Sequence, residues 1–93
     1  MKEIEIFYLT GCPYCIKARK AAEELRGTDD RYAAIPLRWI EESREKELAD
    51  SRDYYYVPAM YIGGDKLYEA APGEDYETIR ENLRRVFEQA LKD

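Results

Sequence analysis

Two cysteines, Cys12 and Cys15, are the residues of this chain best suited to covalent chemistry, and the chain has no others. A Cys-x-x-Cys pair can cycle between dithiol and disulfide, because its sulfurs lie about one helical turn apart. Two other uses remain open from the residues alone. A structural disulfide closing so short a loop would stabilise the fold by only about 2 kcal/mol. A metal site would need further ligands from outside the chain.

Composition narrows the functions that the pair can serve. The 93 residues contain no His, which excludes a Ser-His-Asp triad, a Cys-His dyad and any His-containing zinc site within one chain. The net charge of −5 argues against nucleic acid as a partner. No apolar run approaches the roughly 20 residues that cross a bilayer, so we expect no membrane partner. The N-terminus alternates charge with Ile rather than forming a secretory signal, and we expect a cytoplasmic monomer with one domain over residues 1–93.

The elements on either side of the cysteines follow from hydrophobic periodicity. Residues 3–9 predict a strand that is buried on both faces, with Ile4, Ile6 and Tyr8 on one face and Phe7 and Leu9 on the other. Pro13 suits a first helical position and opens a helix over 13–26 that ends at Gly27. The residues of this helix that we expect to face the core are Ile16, Ala18, Ala21, Ala22 and Leu25.

The rest of the chain continues the alternation of strands and helices. The predicted elements are a strand over 35–40, a helix over 43–50 capped by Ser43, strands over 59–62 and 66–69 joined by a hairpin, and a final helix after Gly73. Trp39 and the apolar stripe of the final helix are expected in the core. The order β-α-β-α-β-β-α predicts an α/β fold with a four-stranded mixed sheet flanked by helices.

This arrangement places Cys12 where a strand ends and a helix begins. The unpaired backbone N–H groups and the positive end of the helix dipole stabilise a thiolate there. The dipole contributes only about 0.3–1 kcal/mol at an exposed site, so hydrogen bonds from backbone amides and from the Cys15 thiol must add to it. A Cys-x-x-Cys that opens the first helix of a βα unit therefore favours a redox dithiol over the other two uses.

Three stretches of the sequence resemble the glutaredoxins of the dithiol Cys-Pro-Tyr-Cys type, within the thioredoxin-like superfamily. They are the segment 6–15 with Gly11-Cys12-Pro13-Tyr14-Cys15, the following 17–25, and Val57-Pro58 with Tyr61-Ile62-Gly63. The element order is also similar to the thioredoxin fold over essentially the whole chain.

The resemblance implies a thiol–disulfide oxidoreductase that reduces protein or glutathione mixed disulfides. Cys12 would attack the substrate disulfide and Cys15 would resolve the mixed disulfide. Pro58 would be a cis proline facing the cysteines, and Pro13, Tyr14, Tyr56, Val57 and Pro58 would contact the substrate. The implied partners are disulfide-containing proteins or glutathione, with a reductase system. No tightly bound cofactor or metal is implied, and glutathione is a candidate co-substrate.

The sequence departs from the glutaredoxin pattern in the region that would hold the γ-glutamyl end of glutathione. The paired glycines usual there are replaced by the stretch 68–75, in which only Gly73 precedes Glu74 and Asp75. Tyr56 replaces the usual Thr, and Leu9-Thr10 replaces a basic residue. Two alternatives therefore stand beside the first hypothesis: a redoxin reduced by thioredoxin reductase, and a non-catalytic redox-sensing or binding module.

Three consecutive tyrosines, residues 54–56, precede Pro58 and allow two interpretations. They are either partial core packing with exposed loop aromatics, or an apolar shelf for the disulfide segment of a partner.

Overall fold

The computed structural model describes residues 1–92. Its helices and strands are β1 (Ile4–Tyr8), α1 (Pro13–Thr28), α2 (Asp30–Ala33), β2 (Leu37–Glu41), α3 (Lys46–Asp50), β3 (Ala59–Ile62), β4 (Asp65–Glu69) and α4 (Tyr76–Lys92). In this described part, every helix is too short or too polar to cross a membrane.

The four strands form one sheet in the order β2-β1-β3-β4. β1 runs parallel to β2, with Ile6 opposite Trp39, and antiparallel to β3, with Ile6 opposite Met60. β3 and β4 form the predicted antiparallel hairpin. A parallel pair needs a long crossover between its strands, and α1 and α2 supply it. The predicted α/β fold with a four-stranded mixed sheet is confirmed.

β1 is the central strand that the alternation of its residues predicts. Ile4 and Ile6 are fully buried in the main core, which α1 and α4 cover. Phe7 is fully buried on the opposite face, in a second cluster with Ile40 and Tyr61. The strand that leads into the Cys12 loop is therefore held from both sides of the sheet.

α1 and α4 pack against each other over the main core. Small side chains on α1 (Ala18, Ala21 and Ala22) are buried at this contact and let the two helices approach closely. The buried residues of α4 are Ile79, Leu83, Val86, Phe87 and Ala90. They confirm the stripe that the sequence predicts for the final helix.

Two apolar residues expected to face the core are exposed instead. Leu9 lies in the loop after β1 has ended at Tyr8, and it is 37% exposed. Ile16 is 61% exposed, because it lies one residue beyond the buried Cys15 and one residue turns a helix by 100°. Both residues border the cysteine pair.

The connection between α1 and β2 also differs from the expected loop. α1 continues through Gly27 to Thr28, and a further short helix, α2, follows at once. The Asp29 carboxylate caps α2 by accepting a hydrogen bond from the Arg31 N–H at 2.9 Å. The Arg26 guanidinium donates to carbonyl groups in and after α2, at 2.7 Å for Ile35. The hydrogen bonds of Arg26 and Asp29 therefore stabilise helical turns on both sides of Gly27, and this glycine does not end the helix.

The β2–α3 region corrects two smaller expectations. Ser43 does not cap α3, because its N–H and hydroxyl both donate to the Glu41 carboxylate and α3 begins only at Lys46. Trp39 is partly rather than fully buried, since β2 is an edge strand. The guanidinium of Arg19 covers its ring at 4.1 Å from the ring centroid.

Candidate functional site

Cys12 stands at the N-terminus of α1, at the end of a four-residue loop that follows β1. The loop turns at Gly11, whose φ of 82° is a left-handed conformation that favours glycine. The Cys12 N–H donates to the Leu9 carbonyl at 3.3 Å, and the Cys12 carbonyl accepts the Ile16 N–H at 3.0 Å. Cys12 is thus the N-cap residue of α1, with extended φ and ψ, and its thiol makes no hydrogen bond to the backbone N–H groups of the first turn.

The two thiols differ sharply in their environments. Cys12 is partly exposed, whereas Cys15 is only 4% exposed, and both are free thiols. The pKa of Cys15 is raised to about 12, mainly by burial; a hydrogen bond with the Leu9 backbone lowers it, and the hydrogen bond and electrostatic interaction with Cys12 add to the rise. The pair therefore consists of one accessible sulfur and one adjacent sulfur held as a protonated thiol.

The segment before β3 brings a backbone carbonyl to the accessible thiol. The Val57–Pro58 peptide bond is cis, as the resemblance implies, and Pro58 is buried. The Cys12 thiol donates to the Val57 carbonyl across 3.9 Å. The Pro58 carbonyl in turn accepts the Ala70 N–H at 3.0 Å, which ties this segment to the end of β4. Residues 45 positions apart in sequence are thus brought together at Cys12.

Tyr14 and Pro13 occupy different surroundings, although they are neighbours in sequence. Pro13 is exposed at the first position of α1. The Tyr14 ring packs partly against the main core, and its hydroxyl accepts the Gly73 N–H at 2.6 Å. Tyr14 therefore flanks the cysteines with its ring, while its hydroxyl is already bonded to the loop before α4.

The three tyrosines before Val57 divide between the two interpretations given above. Tyr54 packs on Phe7, with 5.4 Å between ring centroids, and is core. Tyr55 and Tyr56 are 90% and 53% exposed. Only the last two are placed to contact a partner.

Glu69 holds the backbone of these exposed tyrosines, a role that sequence patterns did not reveal. Its carboxylate accepts the N–H groups of Tyr55 and Tyr56 at 2.8 and 2.9 Å, and it also pairs with Lys66 at 2.8 Å. Burial alone would raise the pKa of Glu69, but these hydrogen bonds bring it below its usual value. Glu69 therefore stays ionised and fixes the segment that leads to Val57.

The start of α4, where glutaredoxins would hold the γ-glutamyl group, has its acidic side chains bonded internally. Asp75 accepts the Thr78 N–H at 2.9 Å and caps α4. Glu74 accepts the Tyr68 hydroxyl at 2.6 Å and the Ala71 N–H at 3.1 Å. A carboxylate ligand placed here would meet two protein carboxylates whose hydrogen bonds are already made.

Alkylation with iodoacetamide at pH 8 is expected to label Cys12 at least about a hundredfold faster than Cys15, as initial rates followed by peptide mass spectrometry. Cys15 is buried, and with a pKa of about 12 only roughly one molecule in ten thousand carries its thiolate at pH 8. Because the thiolate fraction rises up to the pKa, labelling of Cys15 should increase steadily as the pH is raised. In guanidinium chloride the two rates should converge, and equal rates in the native protein would contradict this account of the site.

Comparisons with known proteins agree with this architecture. The sequence model of the family described as glutathione S-transferase, N-terminal domain, matches residues 6–72. Among solved structures, a mutant thioredoxin from Halobacterium salinarum NRC-1 is similar at a TM-score of 0.57 and 18% sequence identity, over 89% of this chain and 72% of that chain. This likeness shows a thioredoxin-like fold. The comparison with curated protein sequences found no match.

Proposed function

Because this chain belongs to the glutathione S-transferase N-terminal domain family and has a thioredoxin-like fold, we propose that it is a dithiol oxidoreductase of the glutaredoxin type. It reduces protein or glutathione mixed disulfides through Cys12 and Cys15. The observation that carries the proposal is the unequal pair at the start of α1, with Cys12 partly exposed and Cys15 buried beside it. A disulfide with a purely structural role would not need one of its two sulfurs to be accessible to a substrate.

The first chemical step is assigned to Cys12. Its thiolate attacks one sulfur of the substrate disulfide, so that a Cys12–substrate bond forms, the substrate S–S bond breaks, and the leaving thiolate takes a proton from water. The N-terminal N–H groups of α1 stabilise the attacking thiolate. The Val57 carbonyl contacts this sulfur, and we assign the substrate contacts to Pro13, Tyr14, Tyr56, Val57 and Pro58.

The second step is assigned to Cys15. Cys15 loses its proton to water and attacks the Cys12 sulfur, the Cys12–substrate bond breaks as the intramolecular disulfide forms, and the second substrate thiolate leaves and takes up a proton. Two electrons have then passed from the protein to the substrate. Burial is the main cause of the raised pKa of Cys15, but the contribution from the Cys12 charge disappears once Cys12 is in the mixed disulfide. Formation of the mixed disulfide therefore removes one contribution that disfavours the Cys15 thiolate, while the larger contribution from burial stays.

The electron donor separates the proposal from its closest alternative. Glutathione is supported by the family match, whose description names that thiol. A redoxin reduced by thioredoxin reductase is favoured by the start of α4, where Glu74 and Asp75 are already bonded within the protein. Like charges would weaken the hold on the γ-glutamyl carboxylate there.

A paired turnover assay tests the proposal. NADPH oxidation is followed with bis(2-hydroxyethyl) disulfide as substrate, first with glutathione and glutathione reductase, then with thioredoxin reductase, with and without thioredoxin. We expect many turnovers per Cys12 with the glutathione system, against a control protein whose thiols have been alkylated. Turnover with thioredoxin reductase but not with the glutathione system would identify thioredoxin reductase, rather than glutathione, as the electron donor. A single turnover in every arm would contradict catalysis and favour a redox-sensing module.

A further inference from the structure

A cleft of about 440 Å³ lies beside the loop that precedes Cys12, and of the residues that line it only Cys15 takes part in the steps above. One wall is the loop after β1, with Leu9 and Gly11, and Cys15 lies at its base. The other wall is the outer face of α1, where Ile16 and the residues three, four and seven positions later line the cleft. Those spacings place the side chains on one face of a helix.

The cleft coincides with unusual apolar exposure. The exposed large apolar side chains of the described residues are Met1, Leu9, Ile16, Tyr55 and Tyr56. Leu9 and Ile16 line the cleft, and the two tyrosines precede the Val57 carbonyl that contacts Cys12. Concentration of exposed apolar surface around one site marks an interaction surface.

The same wall of α1 carries positive charge that the protein itself leaves without a carboxylate. Within residues 1–92, Arg19 and Lys20 form no ion pair; Arg19 contacts the Trp39 ring and Lys20 the Tyr76 ring, the latter at 5.3 Å from the centroid. The cations that do pair with carboxylates are Arg31, Arg38, Arg52, Lys66, Arg80 and Arg84. Arg19 and Lys20 therefore bring two positive charges to one wall of an apolar cleft in a chain of net charge −5.

Two carboxylates limit where a negative ligand group can lie: Glu23 lines the cleft, and Glu41 contacts the lining residue Thr10. Glu23 lies one helical turn beyond Arg19 and Lys20. Glu41 approaches the Thr10 hydroxyl at 3.4 Å, but both its oxygens also accept hydrogen bonds from the Ser43 hydroxyl. The favourable position for a carboxylate is therefore between Arg19 and Lys20, next to Ile16.

We propose that this cleft docks an acidic–apolar segment of the protein substrate next to its disulfide. The inference rests on the proposed function. The apolar side chain of the segment covers Leu9 and Ile16, and its carboxylate pairs with Arg19 and Lys20. These cations lie seven and eight residues after Cys12, about 10–12 Å along the helix. An extended peptide covers that distance in three or four residues, so the acidic residue lies three or four positions from the substrate cysteine.

The test uses two nine-residue peptides, each with a central cysteine joined by a disulfide to 2-nitro-5-thiobenzoate. Both have leucine two positions from the cysteine on each side; one has glutamate and the other lysine four positions away on each side. Release of the thiobenzoate is measured at low salt and divided by the rate with free dithiothreitol, which corrects for intrinsic reactivity. We expect the glutamate peptide to react roughly five times faster, a preference that falls as salt is added.

Two charge reversals distinguish the cleft from the net charge of the protein. Lys20→Glu should invert the preference between the peptides, whereas Lys92→Glu, the same charge change on α4, should leave it in place. Ile16→Ser should slow both peptides without changing turnover of the neutral bis(2-hydroxyethyl) disulfide. An equal rate for the two peptides, or an equal effect of the two reversals, would overturn the docking site. If the unmodified protein did not turn over the neutral disulfide, the proposed function would be overturned instead.

Discussion

Replacing Cys12 by serine is expected to lower the rate of disulfide reduction by at least roughly a thousandfold, because the nucleophile of the first step is removed. A serine hydroxyl is not ionised at neutral pH, and the N-terminal N–H groups of α1 cannot compensate for that. The measurement is NADPH-coupled turnover of bis(2-hydroxyethyl) disulfide at pH 7.

Cys15→Ser is the matched variant, since it makes the same chemical change three residues away. This protein should still attack a disulfide once, but it should accumulate a covalent adduct at Cys12, because no thiol follows to resolve it. Intact-mass spectrometry after mixing with a peptide disulfide would show that adduct, and dithiothreitol would release it. An active Cys12→Ser protein with an inactive Cys15→Ser protein would reverse the two roles.

Phe7→Ala is expected to lower the free energy of unfolding by about 3–5 kcal/mol, since it empties a fully buried site in a central strand. Phe7 also contacts Tyr61 edge-on, with 5.6 Å between ring centroids, and such aromatic pairs add about 0.5–1.5 kcal/mol beyond burial. Because small domains are stable by only about 5–15 kcal/mol, the loss would be a large part of the total. Urea denaturation followed by far-UV circular dichroism measures it.

Two further variants make the Phe7 measurement interpretable. Phe7→Leu keeps most of the volume and should cost about 1 kcal/mol, so it reports on the site even where the alanine variant does not fold. Ile16→Ala removes an exposed apolar side chain and should change stability by less than about 0.5 kcal/mol. A loss below about 1 kcal/mol for Phe7→Ala would show that the second core cluster contributes little to stability.

The burial of β1 and the position of Cys12 could both be predicted from local patterns. Alternation in residues 3–9 identified a strand covered on both faces, and Pro13 identified the start of α1. The loop between β1 and α1 is short, so the end of the strand and the start of the helix locate Cys12 closely. The predicted helix end at Gly27 was wrong, because contacts beyond the local pattern decided it. A glycine only weakens a helix, and the hydrogen bonds of Arg26 and Asp29 to α2 favoured helical turns on both sides of Gly27.

The contacts that complete the site could not be predicted from sequence patterns. The Tyr14 hydroxyl meets the Gly73 N–H across 59 positions of sequence, and Glu69 meets the backbone of Tyr55 and Tyr56 across 14 and 13. Nothing in the residue types around Glu69 marks it as a positioning group, because a single carboxylate in a hairpin strand is ordinarily a solvent-facing side chain.

The sequence by itself determined which residues are candidates for covalent chemistry and on which element they lie. Two thiols are its only strong nucleophiles, their spacing allows a disulfide, and hydrophobic periodicity places them at the start of a helix after a buried strand. Only the tertiary structure decided that Cys12 is accessible while Cys15 is protonated and buried, and that the Val57 carbonyl faces the Cys12 sulfur. It also decided that Leu9 and Ile16 face solvent beside Arg19 and Lys20, which pair with no carboxylate of residues 1–92. The reason is that local patterns arise from neighbours within a few residues, whereas burial and charge pairing depend on which distant segments pack together.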